Sequence, residues 1–303
     1  MKVPFVSSLL LAGTAFALSG CSGAVGSDAL AYQRFGRSHH HYVRHSERKV
    51  HISQKWTQAL GYSKAFSIRG VDVSKFQGDV NWSEVHSAGM KFAYLKATEG
   101  GDRVDDNFRR NWEYSKAAGL RRGAYHFVYW CRGPMSQIKW FEAHVPKEAN
   151  SLPPVLDVEL TPTSPTCKRV LHRAPTQAAM REMLQELERH YGKKPIIYTT
   201  VDFYKGILSD NALSEYPIWV RSTKYKPNVP YGDRKWDFWQ FQSDGNIAGI
   251  KGHVDVNAFA GDDKRWQAWL KPAKKQEKSL AASDGNDASE AGDKMALSDL
   301  DQQ

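Results

Sequence analysis

Eight short runs rich in β-branched and aromatic residues punctuate the middle of this chain, and their spacing constrains the fold more than any other feature. They are Ile68 to Ser74, Phe92 to Thr98, Gly123 to Trp130, Pro154 to Glu159, Pro195 to Thr200, Pro217 to Arg221, Phe238 to Gln242 and Val254 to Phe259. Each has the length and residue types of a strand. Helical patterns separate the early runs. The clearest is Thr176 to Tyr191, where Met180, Met183, Leu184, Leu187 and Tyr191 recur at helical spacing before Gly192. Asp105 to Ala118 and Ser136 to Val145 read the same way, and after Thr200 the gaps leave room for only short helices. Strand alternating with helix predicts a parallel α/β architecture. Eight strands predict a single closed (β/α)-barrel with few or short helices in its second half. No Gly-rich phosphate fingerprint argues for a nucleotide-binding sheet.

Chemistry in such barrels sits at the carboxyl ends of strands. In Leu152-Pro153-Pro154-Val155-Leu156-Asp157-Val158-Glu159-Leu160, period-two alternation puts Asp157 and Glu159 on one face and Leu156, Val158 and Leu160 on the other. Two acids on one face of an apolar strand need partners or a task. Val71-Asp72-Val73 repeats the pattern on the first strand. His253-Val254-Asp255-Val256-Asn257 repeats it on the last, where His253, Asp255 and Asn257 share a face. Barrel closure makes the first and last strands neighbours, so Asp72 and Asp255 are expected to flank one side of the mouth. Clustered carboxylates repel, which raises at least one pKa and keeps a proton for general acid catalysis. That suits glycoside cleavage, and it would equally suit a divalent metal. Any one of these acids alone could be structural.

The flanks differ in character. Lys2, the apolar run Val3 to Leu18 and small residues before Cys21 make a secretory signal too short to span a bilayer. Leu18-Ser19-Gly20-Cys21 resembles the bacterial lipobox, which implies a signal peptide over 1–21 and lipidation of Cys21. Ser22, in place of an aspartate, implies the outer membrane, facing the periplasm. Residues 22–66 are polar and basic, with His39, His40, His41 and His45, and read as a tether. Metal binding by these histidines is the weaker alternative, because no Cys, Asp or Glu ligand spacing accompanies them. Residues 272–303 read as a disordered polar tail, and 67–271 as the catalytic barrel. With Cys21 assigned to lipid, Cys131 and Cys167 are left as an even pair in an oxidising compartment. A disulfide is the default, with two buried thiols as the alternative. The formal net charge of +9 favours an anionic partner without choosing among nucleic acid, membrane and wall polymer.

Arg69-Gly70-Val71-Asp72-Val73-Ser74-Lys75-Phe76-Gln77-Gly78 and Val80-Asn81-Trp82 resemble the opening of glycoside hydrolase family 25. So does Phe92-Ala93-Tyr94-Leu95-Lys96-Ala97-Thr98-Glu99-Gly100. The likeness continues in the family's order through Asp106-Asn107-Phe108, Gly123-Ala124-Tyr125-His126-Phe127, Leu156-Asp157-Val158-Glu159, Ile197-Tyr198-Thr199, Trp219-Val220, Trp239-Gln240-Phe241 and Val254-Asp255-Val256-Asn257. The resemblance implies a flattened, partly irregular barrel and a lysozyme-type muramidase. Its substrate would be peptidoglycan glycan strands, cut at the β-1,4 bond between N-acetylmuramic acid and N-acetylglucosamine. It further implies Glu159 as acid/base, Asp157 as the residue assisting charge or the substrate N-acetyl group, and Asp72 and Asp255 as supporting carboxylates. Tyr125 matches an aromatic of the cleft.

Tyr198, Trp219 and Gln240, near strand ends, are substrate-binding candidates as well as packing candidates, and Lys96 with Glu99 is expected to form an ion pair. No metal, cofactor or nucleic acid is implied, and the chain is expected to act as a monomer. Two positions depart from the family pattern: Phe76, where tryptophan, tyrosine or histidine is common, and Arg221, where a small residue is usual. Two rivals stay open: a chitinase-like hydrolase, and a catalytically silent wall-binding lipoprotein.

Overall fold

The structure, a computed structural model, describes residues 58–271; Cys21, the histidine cluster and the expected signal, tail and most of the tether lie outside them. All eight expected runs become strands of a closed barrel. They are β1 (Arg69–Val73), β2 (Phe92–Glu99), β4 (Arg121–Phe127), β5 (Val155–Val158), β6 (Ile196–Thr199), β7 (Ile218–Arg221), β8 (Phe238–Gly245) and β9 (Val254–Phe259). A ninth strand, β3 (Arg103–Val104), pairs antiparallel with the end of β2. Around the ring the order is β1, β2, β4, β5, β6, β7, β8, β9, closing on β1.

Alternation along each strand splits the apolar residues into two cores. Inside the barrel, Ile68, Phe92, Tyr94, Val155, Ile196, Trp219, Phe238 and Phe259 fill the end away from the mouth. Trp266 closes that end, its ring 5.0 Å from that of Phe259. Large rings fit there because glycines face them: Gly70 stands opposite Phe92 and Gly123 opposite Tyr94 in register. A Cβ at either glycine would collide with the opposing ring. The filled base leaves polar residues to line the other end.

Outside, Val71, Val73, Ala93, Leu95, Leu156, Val158, Ile197 and Val220 pack under the helices. Helix α3 (Phe108–Ala117) turns Phe108, Asn111, Trp112 and Ser115 inward, a spacing that puts them on one helical face. The helix α4 (Pro134–His144) starts with proline in its first turn and buries Ile138 and Phe141. The longest helix, α5 (Arg173–Tyr191), buries Met180, Met183, Leu184, Leu187 and Tyr191 and ends at Gly192, whose φ of 65° suits the left-handed cap. A disulfide joins Cys131, before α4, to Cys167, before α5.

Beyond the added strand β3, the sequence reading differs from the structure in four places. The Asp105 to Ala118 pattern becomes helical only at Phe108, because Asp105 receives backbone N–H bonds from Lys75 and Asn107 instead of continuing a helix. A short α2 (Trp82–Ser87), capped by Asn81, was not expected. The tether expected to reach residue 66 meets packed structure from Gln58: α1 (Gln58–Ser63) buries Ala59 and Leu60. Tyr62 and Phe66 set their rings 5.9 and 6.2 Å from Trp239. This apolar cover lies where the second half of the barrel supplies little helix: α6 (Val201–Phe203) with the π-turn 204–208, and α7 (Asn228–Tyr231). Finally, the sheet is not wholly parallel. β9 runs antiparallel to both β8 and β1, as the short link 246–253 requires, because a parallel partner would need a longer crossover. A last helix, α8 (Asp263–Leu270), carries Trp266.

Candidate active site

The mouth opens into a cavity of about 580 Å³ lined by all four expected acids, with Ser74, Phe76, Lys96, Tyr125, Tyr198, Trp219, Arg221 and Gln240 among the other walls. Asp72 comes from the end of β1, Asp157 from β5, and Glu159 from just beyond β5. Asp255 comes from the amino end of β9, not a carboxyl end, since the reversed strand brings its start to the mouth. Asp72 and Asp255 are direct cross-strand partners. Closure therefore places them as the alternation of the sequence predicts.

A hydrogen-bond web crosses the floor. The Asn257 Nδ2 and Gln240 Nε2 donate to Asp72 Oδ2 at 2.7 and 3.1 Å. The Tyr198 hydroxyl donates to Gln240 Oε1 at 2.9 Å, and Trp219 Nε1 donates to Asn257 Oδ1 at 2.9 Å. Four strands thus orient a carboxylate borne by a fifth. Of the substrate-binding candidates, Tyr198, Trp219 and Gln240 reach the cavity but are buried, and their polar atoms are committed to this web. Trp219, only 2% exposed, has no free face for stacking on sugar. Phe76, held in the 3₁₀ turn Lys75–Gln77 that the Ser74–Gln77 capping box closes, is 82% exposed at the rim and does present one.

The acids resist ionisation. Burial pushes Asp72 up to about 6, even though Asn257, Gln240 and Arg221 favour its charged form. Burial, then repulsion from Asp72, pushes Asp255 up to about 8. Asp157 is raised well above the ordinary carboxylate range by burial and by Glu159, and its Oδ1 is buried without a hydrogen-bond partner. Glu159, less enclosed, is raised by burial against the pull of Arg221. Tyr125 lies among these acids, and burial followed by their charges raises its hydroxyl well above the usual range. The result is a cluster that shares protons near neutrality.

Supporting contacts come from outside the web. The expected Lys96–Glu99 pair forms at 2.7 Å. Trp130 Nε1 donates to the Glu159 backbone oxygen at 2.9 Å, fixing the chain where it leaves β5. Sequence reasoning did not find that bond. It also recognised Arg221 only as a departure, although period two from Trp219 already places Arg221 on the inner face. The side chain of His253 is absent from the cavity wall; only its backbone oxygen takes part nearby, accepting from Gln77 Nε2 at 3.3 Å.

A closed β/α barrel that collects proton-holding carboxylates in one open cleft defines a glycoside-hydrolase-type site. Comparison with known proteins agrees. The glycosyl hydrolases family 25 profile matches residues 71–250. Lysozyme M1 of Streptomyces globisporus is 34% identical over 219 residues, covering 69% of this chain and 73% of that protein. An N,O-diacetylmuramidase of Arthroderma benhamiae is 26% identical over 214 residues, covering 67% of this chain and 83% of its own. A family 25 glycosyl hydrolase from Bacillus anthracis superposes with a TM-score of 0.64 at 36% identity, over 68% of this chain and 95% of its own. The chain belongs to glycosyl hydrolase family 25.

Proposed function

We propose that this protein is a peptidoglycan hydrolase, a lysozyme-type muramidase that cuts the β-1,4 bond between N-acetylmuramic acid and N-acetylglucosamine. The observation that carries the reading is the convergence of Asp72, Asp157, Glu159 and Asp255 on one open cavity, each held above its ordinary pKa. Glu159 is the least enclosed of the Asp157–Glu159 pair, and its proton goes to the leaving glycosidic oxygen. Asp157, with an oxygen awaiting a partner, meets the positive charge developing at the sugar or orients the substrate N-acetyl group. Asp72, locked by Asn257 and Gln240, and Asp255 beside it supply the negative field beneath the sugar.

Mass spectrometry of fragments released from purified peptidoglycan tests this directly. The protein should release fragments with reducing-end N-acetylmuramic acid, and Glu159→Gln should lower release by about 10²- to 10⁴-fold, the usual contribution of a positioned general acid. Undiminished turnover in the variant would remove Glu159 from the role. Release from chitin alone would move the protein to a chitinase-like activity, and no release at all to wall binding. The setting proposed is the cell envelope, with residues 1–21 as a signal peptide, Cys21 lipidated at the outer membrane, 22–66 as a tether whose last residues, from Gln58, pack on the barrel, 67–271 as the catalytic barrel and 272–303 as a polar tail.

A further inference from the structure

Two cations line the cavity, Lys96 and Arg221. Lys96 is committed, its Nζ 2.7 Å from Glu99 Oε2 and 5.0 Å from the centre of the Phe127 ring. Arg221 differs. It ends β7 on the same face as Trp219, and its main chain is fixed by the Tyr231 hydroxyl, which donates to the Arg221 oxygen at 2.8 Å. Its charge acts on Asp72, Glu159 and Asp255 through space. Among the described residues, however, no carboxylate stands at ion-pair distance from its guanidinium, and Asp72 takes its hydrogen bonds from Asn257 and Gln240 instead.

A half-buried guanidinium without a contact partner keeps its donors free for an anion that a ligand supplies. Its planar fork of donors matches a carboxylate in two parallel hydrogen bonds. Of the two sugars in the proposed substrate, N-acetylglucosamine carries no carboxyl group. The muramyl residue does, through its lactyl ether.

We propose that Arg221 is a specificity-determining residue that binds a carboxylate borne by the muramyl residue. The inference rests on the peptidoglycan reading above and deepens it by naming the feature of the glycan the cleft selects. Two sources share the chemistry: the free lactyl carboxylate of a strand stripped of peptide, and a carboxylate of an attached stem peptide. Neutral chitin-like strands offer neither, and would leave the guanidinium unpaired beneath them.

The test is calorimetric binding to the full chain carrying Glu159→Gln, so that ligands stay intact. The ligands are a peptide-free N-acetylglucosamine–N-acetylmuramic acid oligosaccharide, the same glycan with its carboxyls reduced to alcohols, a peptide-bearing glycan, and that glycan with its carboxyls amidated. With Arg221 present, a charged glycan should bind about tenfold or more tightly than its neutral form. R221A should erase the gap, and R221K should keep part of it, since an ammonium lacks the fork. A gap confined to the peptide-free pair assigns the lactyl carboxylate, and one confined to the peptide-bearing pair assigns the stem; either supports the proposal. Equal binding of charged and neutral glycans with Arg221 in place overturns it, as does a gap that survives R221A or no binding of any glycan. Cleavage is read separately in the wild-type chain. A protein that cuts peptidoglycan yet shows no gap loses the Arg221 assignment alone, and one that shows the gap yet releases no fragments loses the hydrolase reading alone.

Discussion

Asp72 and Asp255 face each other where β9 meets β1, and that seam sets a pH dependence of stability. Asp255 is raised from 3.8 to about 8, first by burial and then by Asp72. Between those values the folded chain keeps a proton that the unfolded chain has lost. Stability therefore falls as pH rises through that window and levels off above it. Asparagine cannot ionise, so Asp255→Asn should match the wild type near pH ~4 and melt several degrees higher above pH ~8. Thermal melts across that range check the sign: a gap that narrows with rising pH would show that ionised Asp255 is stabilised in the fold. At this scale the sequence was legible as far as the four acids, because period two exposes them strand by strand. Their order of ionisation was not, since Asp72 is oriented by Gln240 and Asn257, residues 168 and 185 positions away that only barrel closure brings near.

Among the elements, the loops after β4 and β5 carry the most leverage over the site. The first holds Trp130, which donates to the Glu159 oxygen; the second holds Arg169, whose Nη1 donates back to the Trp130 oxygen at 3.1 Å. The Cys131–Cys167 disulfide ties the two loops across 36 residues of sequence. Closing a loop of that size in the unfolded chain stabilises the fold by roughly 2–4 kcal/mol. Replacing both cysteines by serine should lower the unfolding free energy by that amount, read as an earlier denaturation midpoint, and should lower hydrolysis as the end of β5 loses its brace. Unchanged denaturation curves would mean that the rest of the loop packing suffices. The eight strands and three main helices were readable because each carries a full period of apolar residues. The direction of β9 was not, because alternation is blind to direction and only the length of the preceding link distinguishes the two. Helix α1 was missed for a related reason: six residues are too few to establish a helical period, and its Leu60 finds its place only against the barrel.

For the molecule as a whole, charge and site point in opposite directions. The chain carries a formal net charge of +9, while its cleft gathers acids. Long-range attraction to an anionic wall polymer therefore belongs to the surface at large, and short-range selection to the cleft with its single uncommitted arginine. Surface attraction is screened beyond roughly 10 Å at ~0.1 M salt, whereas the hold of acyl chains on a bilayer is hydrophobic and does not weaken with salt. The lipid anchor proposed at Cys21 and the attraction of the charged surface separate in one fractionation. The wild-type protein should stay with membranes through a wash at ~1 M salt, where screening reaches ~3 Å. Cys21→Ser, exported on a signal peptide that is cut without lipidation, should leave the membranes in that wash, yet sediment with purified anionic wall at low salt and elute as salt is raised. A serine variant that still resists the wash would remove Cys21 as the anchor. A serine variant that ignores the wall at low salt would assign delivery to the anchor alone, with the positive surface contributing nothing to reaching the substrate.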